Sequence, residues 1–95
     1  MIDQAKMVMQ LKKAQKELQK EIVEVSAGDG AVIVQVTGEL KLKKVTIDPD
    51  LIDLDDINEL ERWIELAVRD AMSKAQELTA EKMKPFMGAL GNLGL

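Results

Sequence analysis

The side chains with the clearest potential for chemistry are five lysines within the first 20 residues. They are Lys6, Lys12, Lys13, Lys16 and Lys20. If this segment is a helix, all five fall within one arc of its surface, opposite a stripe of apolar residues. A row of ammonium groups of this kind can follow a line of phosphates. The alternative is an ordinary solvated helix face with pairs such as Lys13–Glu17, and composition alone favours that alternative.

The second half of the chain carries a weaker set of basic candidates. They are Arg69, Lys74, Lys82 and Lys84. Carboxylates lie close to them in sequence, so a mixed-charge solvent face is the preferred interpretation of this segment. Trp63 and Leu66 fall outside the main apolar stripe of the same segment. Contacts with a second subunit are the preferred explanation for them, because a single tryptophan makes no platform for stacking bases.

An acidic block at residues 48–60 sets the charge of the whole chain. It holds six acids and no base, whereas the net charge of the chain is −4. A Ca²⁺ or Mg²⁺ site is one hypothesis, but an EF-hand loop counted from Asp48 needs glycine at its sixth position, where Asp53 stands. Turns and helix capping are therefore the preferred roles for these acids. We expect no metal and no cofactor.

The composition also argues against catalysis. The chain has no histidine and no cysteine, which removes the commonest general base and the thiolate nucleophile. We find no nucleophile–base pair in the sequence, and a modest aliphatic core leaves little room for a substrate pocket. The sequence therefore predicts a protein that is not an enzyme.

The elements that must position the lysines follow from apolar spacing. Residues 2–25 predict one long helix, about 36 Å long at 1.5 Å per residue. Gly28-Asp29-Gly30 then predicts a turn, and the β-branched run 31–37 predicts a strand. A tight reversal at Gly38 leads into a second strand over residues 40–47. The alternation in this strand slips at Lys43-Lys44, which predicts a bulge or a change of face. A further strand at residues 24–27 is only weakly indicated.

The acidic block ends the sheet at Pro49, and a second long helix follows at about residues 56–83. Asp53 or Asp55 is the expected cap of this helix, and Pro85 is expected to end it. The fold class is α+β, with two long helices around a small antiparallel sheet of two to three strands. We expect one domain at residues 1–85 and a flexible Gly/Leu-rich tail at residues 86–95. No membrane span or signal peptide is evident, so the expected location is the cytoplasm.

The order of these elements resembles the bacterial YbaB/EbfC family of nucleoid-associated proteins. The matching stretches are Val34-Gln35-Val36-Thr37-Gly38, Lys43-Lys44-Val45-Thr46-Ile47-Asp48-Pro49-Asp50-Leu51, Leu60-Glu61, Ala67, Asp70-Ala71 and Glu81-Lys82-Met83. No single stretch is specific, but their combination in this order covers nearly the whole chain.

The resemblance implies a homodimer joined through its sheet region, with long helices that project and bind duplex DNA with weak sequence preference. It implies a location at the nucleoid and points first to the lysines of the first helix. The basic residues of the second helix, Arg69, Lys74, Lys82 and Lys84, come second. The alternative is a protein-interaction module whose partners act in DNA replication or repair.

Overall fold

The computed structural model describes the backbone of residues 4–92 and the side chains of residues 4–86. Two helices and a three-stranded sheet confirm the predicted α+β class. In chain order the elements are α1 (Gln4–Lys20), β1 (Ile22–Ala27), β2 (Val32–Thr37), β3 (Leu42–Ile47), a 3-10 turn (Pro49–Leu51) and α2 (Ile57–Asn92).

The first helix is shorter than its apolar spacing predicted. It ends at Lys20, so it is about 26 Å long, and the chain passes almost directly into β1. Ile22 and Val25 continue the helical spacing of α1, which is why the prediction extended the helix to residue 25. The same segment also alternates, and Val23, Val25 and Ala27 pack on the core as strand residues. Pairing with β2 supplies the backbone partners that favour the strand.

The sheet is an antiparallel meander in the order β1-β2-β3. The predicted hairpin is confirmed, and of the two alternatives for the slip at Lys43-Lys44 the structure has the bulge. Gln35 faces Lys44 and Val36 faces Leu42, so Lys43 is the extra residue on β3. This shift keeps Leu42 and Val45 on the same side of the sheet as Val36 and Val34, although the alternation along β3 is broken.

The core lies between one face of the sheet and α2. Val32, Val34 and Val36 of β2 are fully buried, and three alanines of α2 at intervals of four residues are buried with them. These alanines are Ala67, Ala71 and Ala75. Small side chains at this spacing let the helix lie close to the strands. Among the described residues α2 covers β1 and β2 and makes no contact with β3.

The residue that caps the start of α2 is not one of the two aspartates that the sequence predicted. Asp56 caps the helix, because its side chain accepts a hydrogen bond of 3.2 Å from the backbone N–H of Glu59. Asp53, one of the two expected caps, instead accepts from the N–H of Asp55 in the preceding turn. The acid with the right spacing before the first helical residue, Ile57, is therefore the one that caps.

The predicted end of α2 is wrong. The helix passes through Pro85 and reaches Asn92, although proline removes a backbone hydrogen bond to the carbonyl of Glu81. Both residues are exposed, so water can satisfy that carbonyl. The division into a domain at 1–85 and a flexible tail at 86–95 stays a prediction, and residues 93–95 lie outside the described part of the chain.

A junction at Gly38 joins α1 to the rest of the fold. Its N–H donates to the carbonyl of Glu21 at 3.0 Å, and its carbonyl accepts from the hydroxyl of Thr79 at 2.6 Å. A Cβ at position 38 would lie 2.7 Å from the carbonyl oxygen of Leu18, so only glycine permits this approach. Beyond the junction, α1 and the C-terminal part of α2 run side by side as a two-helix arm. The molecule is consequently elongated, at 64 × 22 × 15 Å.

Candidate nucleic-acid interface

The five lysines predicted on α1 are exposed on the outer side of the arm. The helix docks through Ala14 and Leu18, both buried, which fixes its orientation about its own axis. Because the lysines lie on the opposite arc, docking turns them outward. We call this set the α1 lysine face; it consists of Lys6, Lys12, Lys13, Lys16 and Lys20.

The α1 lysine face is accessible to a ligand over most of its length. Within the described residues, no ion pair engages its last four members, from Lys12 to Lys20. Met9, one turn before Lys12 or Lys13 on the same side of the helix, is 71% exposed. From Lys12 to Lys20 the surface is therefore a row of exposed ammonium groups that no described carboxylate pairs with.

Two basic residues of α2, Arg69 and Lys74, already form ion pairs with carboxylates of the same helix. Arg69 pairs with Glu65 at 2.6 Å, and Lys74 lies 3.7 Å from Asp70, in both cases one helical turn away. These two pairs lie beside the sheet, where Arg69 borders the groove along β1, and not on the arm. The structure thus separates Arg69 and Lys74 from the α1 lysine face.

Lys82 and Lys84 lie on the arm, but only Lys84 is exposed without an ion pair to a described residue. The ammonium group of Lys82 lies 3.2 Å from the carboxylate of Glu21 and 3.5 Å from that of Glu17. The hydrogen bond to Glu21, followed by the charges of Glu21 and Glu17, raises the pKa of Lys82 above the ordinary lysine value. Lys82 therefore links α2 to the end of α1.

The acids of the segment 48–60 hold the backbone in the geometry that leads into α2. Asp48 accepts from the N–H of Asp50 at 3.0 Å and caps the 3-10 turn. Together with the bonds made by Asp53 and Asp56, this confirms the predicted roles in turns and capping. In the described part of the chain, no group of three or more His, Cys, Asp or Glu side chains is arranged to hold a metal ion.

Two structural features were not predicted from the sequence. The first is a series of exposed apolar side chains that follows β3: Leu42, Val45, Ile47, Leu51, Leu54 and Ile57. The second is the ionic contact of Lys82 with Glu17, which joins residues 65 positions apart and leaves no local pattern. Trp63 is partly buried within its own chain, where it packs against the Gly28 turn, so its predicted contact with a second subunit stays a prediction.

The apolar side chains along β3 are exposed because α2 lies over β1 and β2 and not over β3. Leu42, Val45 and Ile47 continue the face that holds the buried valines of β2, but the helix does not reach them. Leu54, in the loop beyond, is 75% exposed. A series of exposed apolar side chains makes this side of the sheet a candidate interface.

None of the described helices has a stretch that is both long and apolar enough to cross a membrane.

The groove between α1 and α2 is open and is lined by side chains such as Leu18, Thr79 and Met83. The hydroxyl of Thr79 already donates to Gly38, so this groove presents no activated nucleophile.

Comparison with known proteins gives a consistent result. The model of the YbaB/EbfC DNA-binding family matches residues 1–90. A nucleoid-associated protein of Chloroflexus aurantiacus is 40% identical over 87 residues, which cover 92% of this chain and 87% of that protein. One of Saccharopolyspora erythraea is 50% identical over 86 residues, or 90% of this chain and 74% of that protein.

The fold itself has a solved counterpart. The crystal structure of the uncharacterized protein HP0035 from Helicobacter pylori superimposes with a TM-score of 0.68. The sequence identity is 21%, and the match covers 81% of this chain and 89% of that chain. This likeness supports the arrangement of the two helices around the sheet.

Proposed function

This chain belongs to the YbaB/EbfC DNA-binding family, and we propose that it binds duplex DNA as a homodimer through the basic faces of its projecting helices. The observation that carries the proposal is the α1 lysine face. Lys6 and Lys20 are 14 residues apart, which corresponds to about 21 Å along the helix, or about six base pairs of duplex. One helix can therefore contact several consecutive phosphates.

The chemistry of this face favours binding with weak sequence preference. Lysine acts on a phosphate as a point charge, whereas base edges are read by bidentate groups such as arginine, asparagine and glutamine. Arg69, the arginine among the candidates, is already paired with Glu65. In this proposal the basic residues of α2 contribute less to DNA binding than the lysines of α1. They are Arg69, Lys74, Lys82 and Lys84.

A second copy of the chain is the proposed occupant of the apolar surface along β3. Val45 and Ile47 pair with the buried Val34 and Val32 of β2, so a second subunit on this face of β3 would extend the existing core. The chain has 95 residues, and a domain of this size buries a modest share of its surface alone. Pairing through β3 would cover the exposed strand edge and place one arm on each side of the dimer.

Two arms would strengthen binding without any new contact. Once one arm is on the duplex, the other binds at a high effective concentration. The relatives described above are named nucleoid-associated proteins, and we place this chain at the nucleoid on that basis. Its action there would be binding, and no step of catalysis is proposed.

A gel-shift experiment tests the proposal. We expect the wild type to retard duplex DNA at about 50 mM salt, where phosphate contacts are strong. The variant Lys12→Glu/Lys13→Glu/Lys16→Glu should bind at least about tenfold more weakly, because three contacts of the α1 lysine face are reversed in charge. Failure of the wild type to bind under these conditions would refute the proposal.

The matched control reverses three lysines of the sheet region, Lys41, Lys43 and Lys44, which are also exposed. It changes the net charge by the same amount and leaves the arm intact. Because Lys43 and Lys44 lie on β3, sedimentation must first show that this variant has the oligomeric state of the wild type; we then expect a much smaller loss of affinity. Equal losses in the two variants would show that net charge, and not the α1 lysine face, governs binding.

The protein-interaction alternative is favoured by one observation, the exposed apolar series along β3. If the purified chain is a monomer at micromolar concentration, another protein becomes the proposed partner of that surface. Pull-down from a lysate treated with nuclease, with wild type and a Val45→Asp variant as bait, would then test whether proteins of replication or repair bind there.

A further inference from the structure

Glu17 and Glu21 place negative charge directly beside the α1 lysine face. Glu17 follows Lys13 by four residues and precedes Lys20 by three, so it is one turn from each of them. Five lysines and two glutamates give residues 4–21 a net charge of +3. Along the helix axis both carboxylates lie within one Debye length, about 10 Å, of Lys16 and Lys20, so a phosphate approaching these lysines also meets the carboxylates.

Lys82 is positioned to neutralise these carboxylates from the other side. It reaches across from α2 to both of them, at 3.2 Å from Glu21 and 3.5 Å from Glu17. Its contacts lie on the flank of α1 that faces α2, since the docked residues Ala14 and Leu18 are buried beside it. The neighbouring junction, in which Thr79 donates to the carbonyl of Gly38, holds this part of α2 against the end of α1.

We propose that Lys82 is a positioning residue for the α1 lysine face: its ammonium group binds Glu17 and Glu21 and keeps both carboxylates from opposing an approaching phosphate backbone. This inference rests on the proposed DNA binding. It gives Lys82 a role different from direct contact with phosphate. The contact also leaves Lys13 and Lys20 available, because Glu17 would otherwise be free to pair with either of them.

A cycle of variants separates the two roles of Lys82. In the wild-type background, Lys82→Met should weaken duplex binding about two- to fivefold, the scale of one exposed ion pair. In a Glu17→Gln/Glu21→Gln background the same substitution should change the affinity by less than about 1.5-fold, because no carboxylate remains to be neutralised. Lys82→Arg should retain wild-type affinity, since arginine can bind both carboxylates.

The outcomes are distinguishable. An equal loss from Lys82→Met in both backgrounds would mean direct phosphate contact and would overturn the proposal, as would no loss in the wild-type background. Failure of the wild type itself to bind duplex would refute the proposed function, whatever the variants do. Circular dichroism and amide hydrogen exchange of each variant without DNA should show α1 still helical and docked. A loss of helix that accompanies the loss of affinity in Lys82→Met, and that the glutamine substitutions do not reverse, would assign Lys82 a purely structural role.

Discussion

At the scale of single residues, the nine basic candidates differ in what surrounds them. Lys12 and Lys16 extend from α1 without a described ion pair, whereas Arg69 and Lys74 each have a carboxylate one turn away. Exposed pairs of this kind are individually weak, but a phosphate must compete with the carboxylate for the same cation. The lysines of α1 are therefore more available to a phosphate than Arg69 and Lys74, which supports the proposal that α1 makes the first contact.

The ionisation of Lys82 gives a direct prediction. Because Glu21 and Glu17 raise its pKa, Glu17→Gln/Glu21→Gln should lower that pKa toward the ordinary value of about 10.4. The side-chain Cε chemical shift of Lys82, followed by NMR from pH 8 to 12, measures the change. An unchanged titration would contradict the contact with the two carboxylates.

The raised pKa of Lys82 also makes the stability of the folded protein depend on pH. A raised folded pKa means that the stabilisation from Lys82 is complete below the unfolded lysine pKa of about 10.4. It is lost as the pH rises through the higher folded value. The contact is therefore fully formed at neutral pH, where DNA binding is to be measured.

Gly28 and Gly30 provide a test of the packing around the single tryptophan. Both glycines have positive φ, at 64° and 94°, so alanine at either position is expected to cost about 1–2 kcal/mol. A Cβ at Gly28 would also lie 2.6 Å from Cδ2 of Trp63, whereas nothing lies within 4 Å of one at Gly30. Gly28→Ala should therefore destabilise the protein more than Gly30→Ala in urea unfolding followed by Trp63 fluorescence. Equal losses would show that Trp63 does not pack on this turn.

At the scale of elements, the sequence predicted what local patterns encode. The β-branched run of β2, the slip at Lys43-Lys44 and the amphipathic spacing of α2 all correspond to observed features. The boundary between α1 and β1 could not be placed, because residues 22–25 satisfy both the helical and the strand spacing. The pairing of β1 with β2, which the spacing within residues 22–25 does not encode, decides between them.

The lysines of the candidate site could be predicted from local spacing, but the contacts of Lys82 could not. The arc of lysines follows from helical geometry, and docking through Leu18 leaves it exposed as expected. The pairing of Lys82 with Glu17 was not predictable, because it depends on how α1 lies against α2. The missed continuation of α2 past Pro85 has a similar cause, since a local rule about proline was outweighed by the helix around it.

Substitution of Gly38 tests the docking of α1. In Gly38→Ala the added Cβ would lie 2.7 Å from the carbonyl oxygen of Leu18, which is backbone and cannot turn aside. We expect faster amide hydrogen exchange in α1, with exchange in β2 little changed. Thr79→Val serves as the milder comparison, because it removes only the hydrogen bond to Gly38, worth about 0.5–1.5 kcal/mol. Unaltered exchange of α1 in Gly38→Ala would contradict the junction.

At the scale of the whole molecule, the proposed dimer depends on the apolar surface along β3. A carboxylate buried in an apolar interface is strongly unfavourable, so Val45→Asp/Leu54→Asp should shift the protein from dimer to monomer. Sedimentation equilibrium measures this shift, and DNA affinity should fall with it because the second arm is lost. Leu66→Asp is the control, since Leu66 is also exposed but lies on the β1 side of α2. A double variant that stays dimeric would place the interface elsewhere.

Binding of the α1 lysines to the phosphates of duplex DNA would make the affinity fall as salt rises, and a salt series measures this fall. The affinity of the wild type for one duplex would be measured from about 50 to 200 mM salt. Each neutralised phosphate contributes about −0.9 to the slope of log affinity against log salt, so five lysines on one or both arms predict a slope between about −4 and −9. An affinity that does not change with salt, or the absence of binding at about 50 mM salt, would contradict phosphate binding by the lysines of α1.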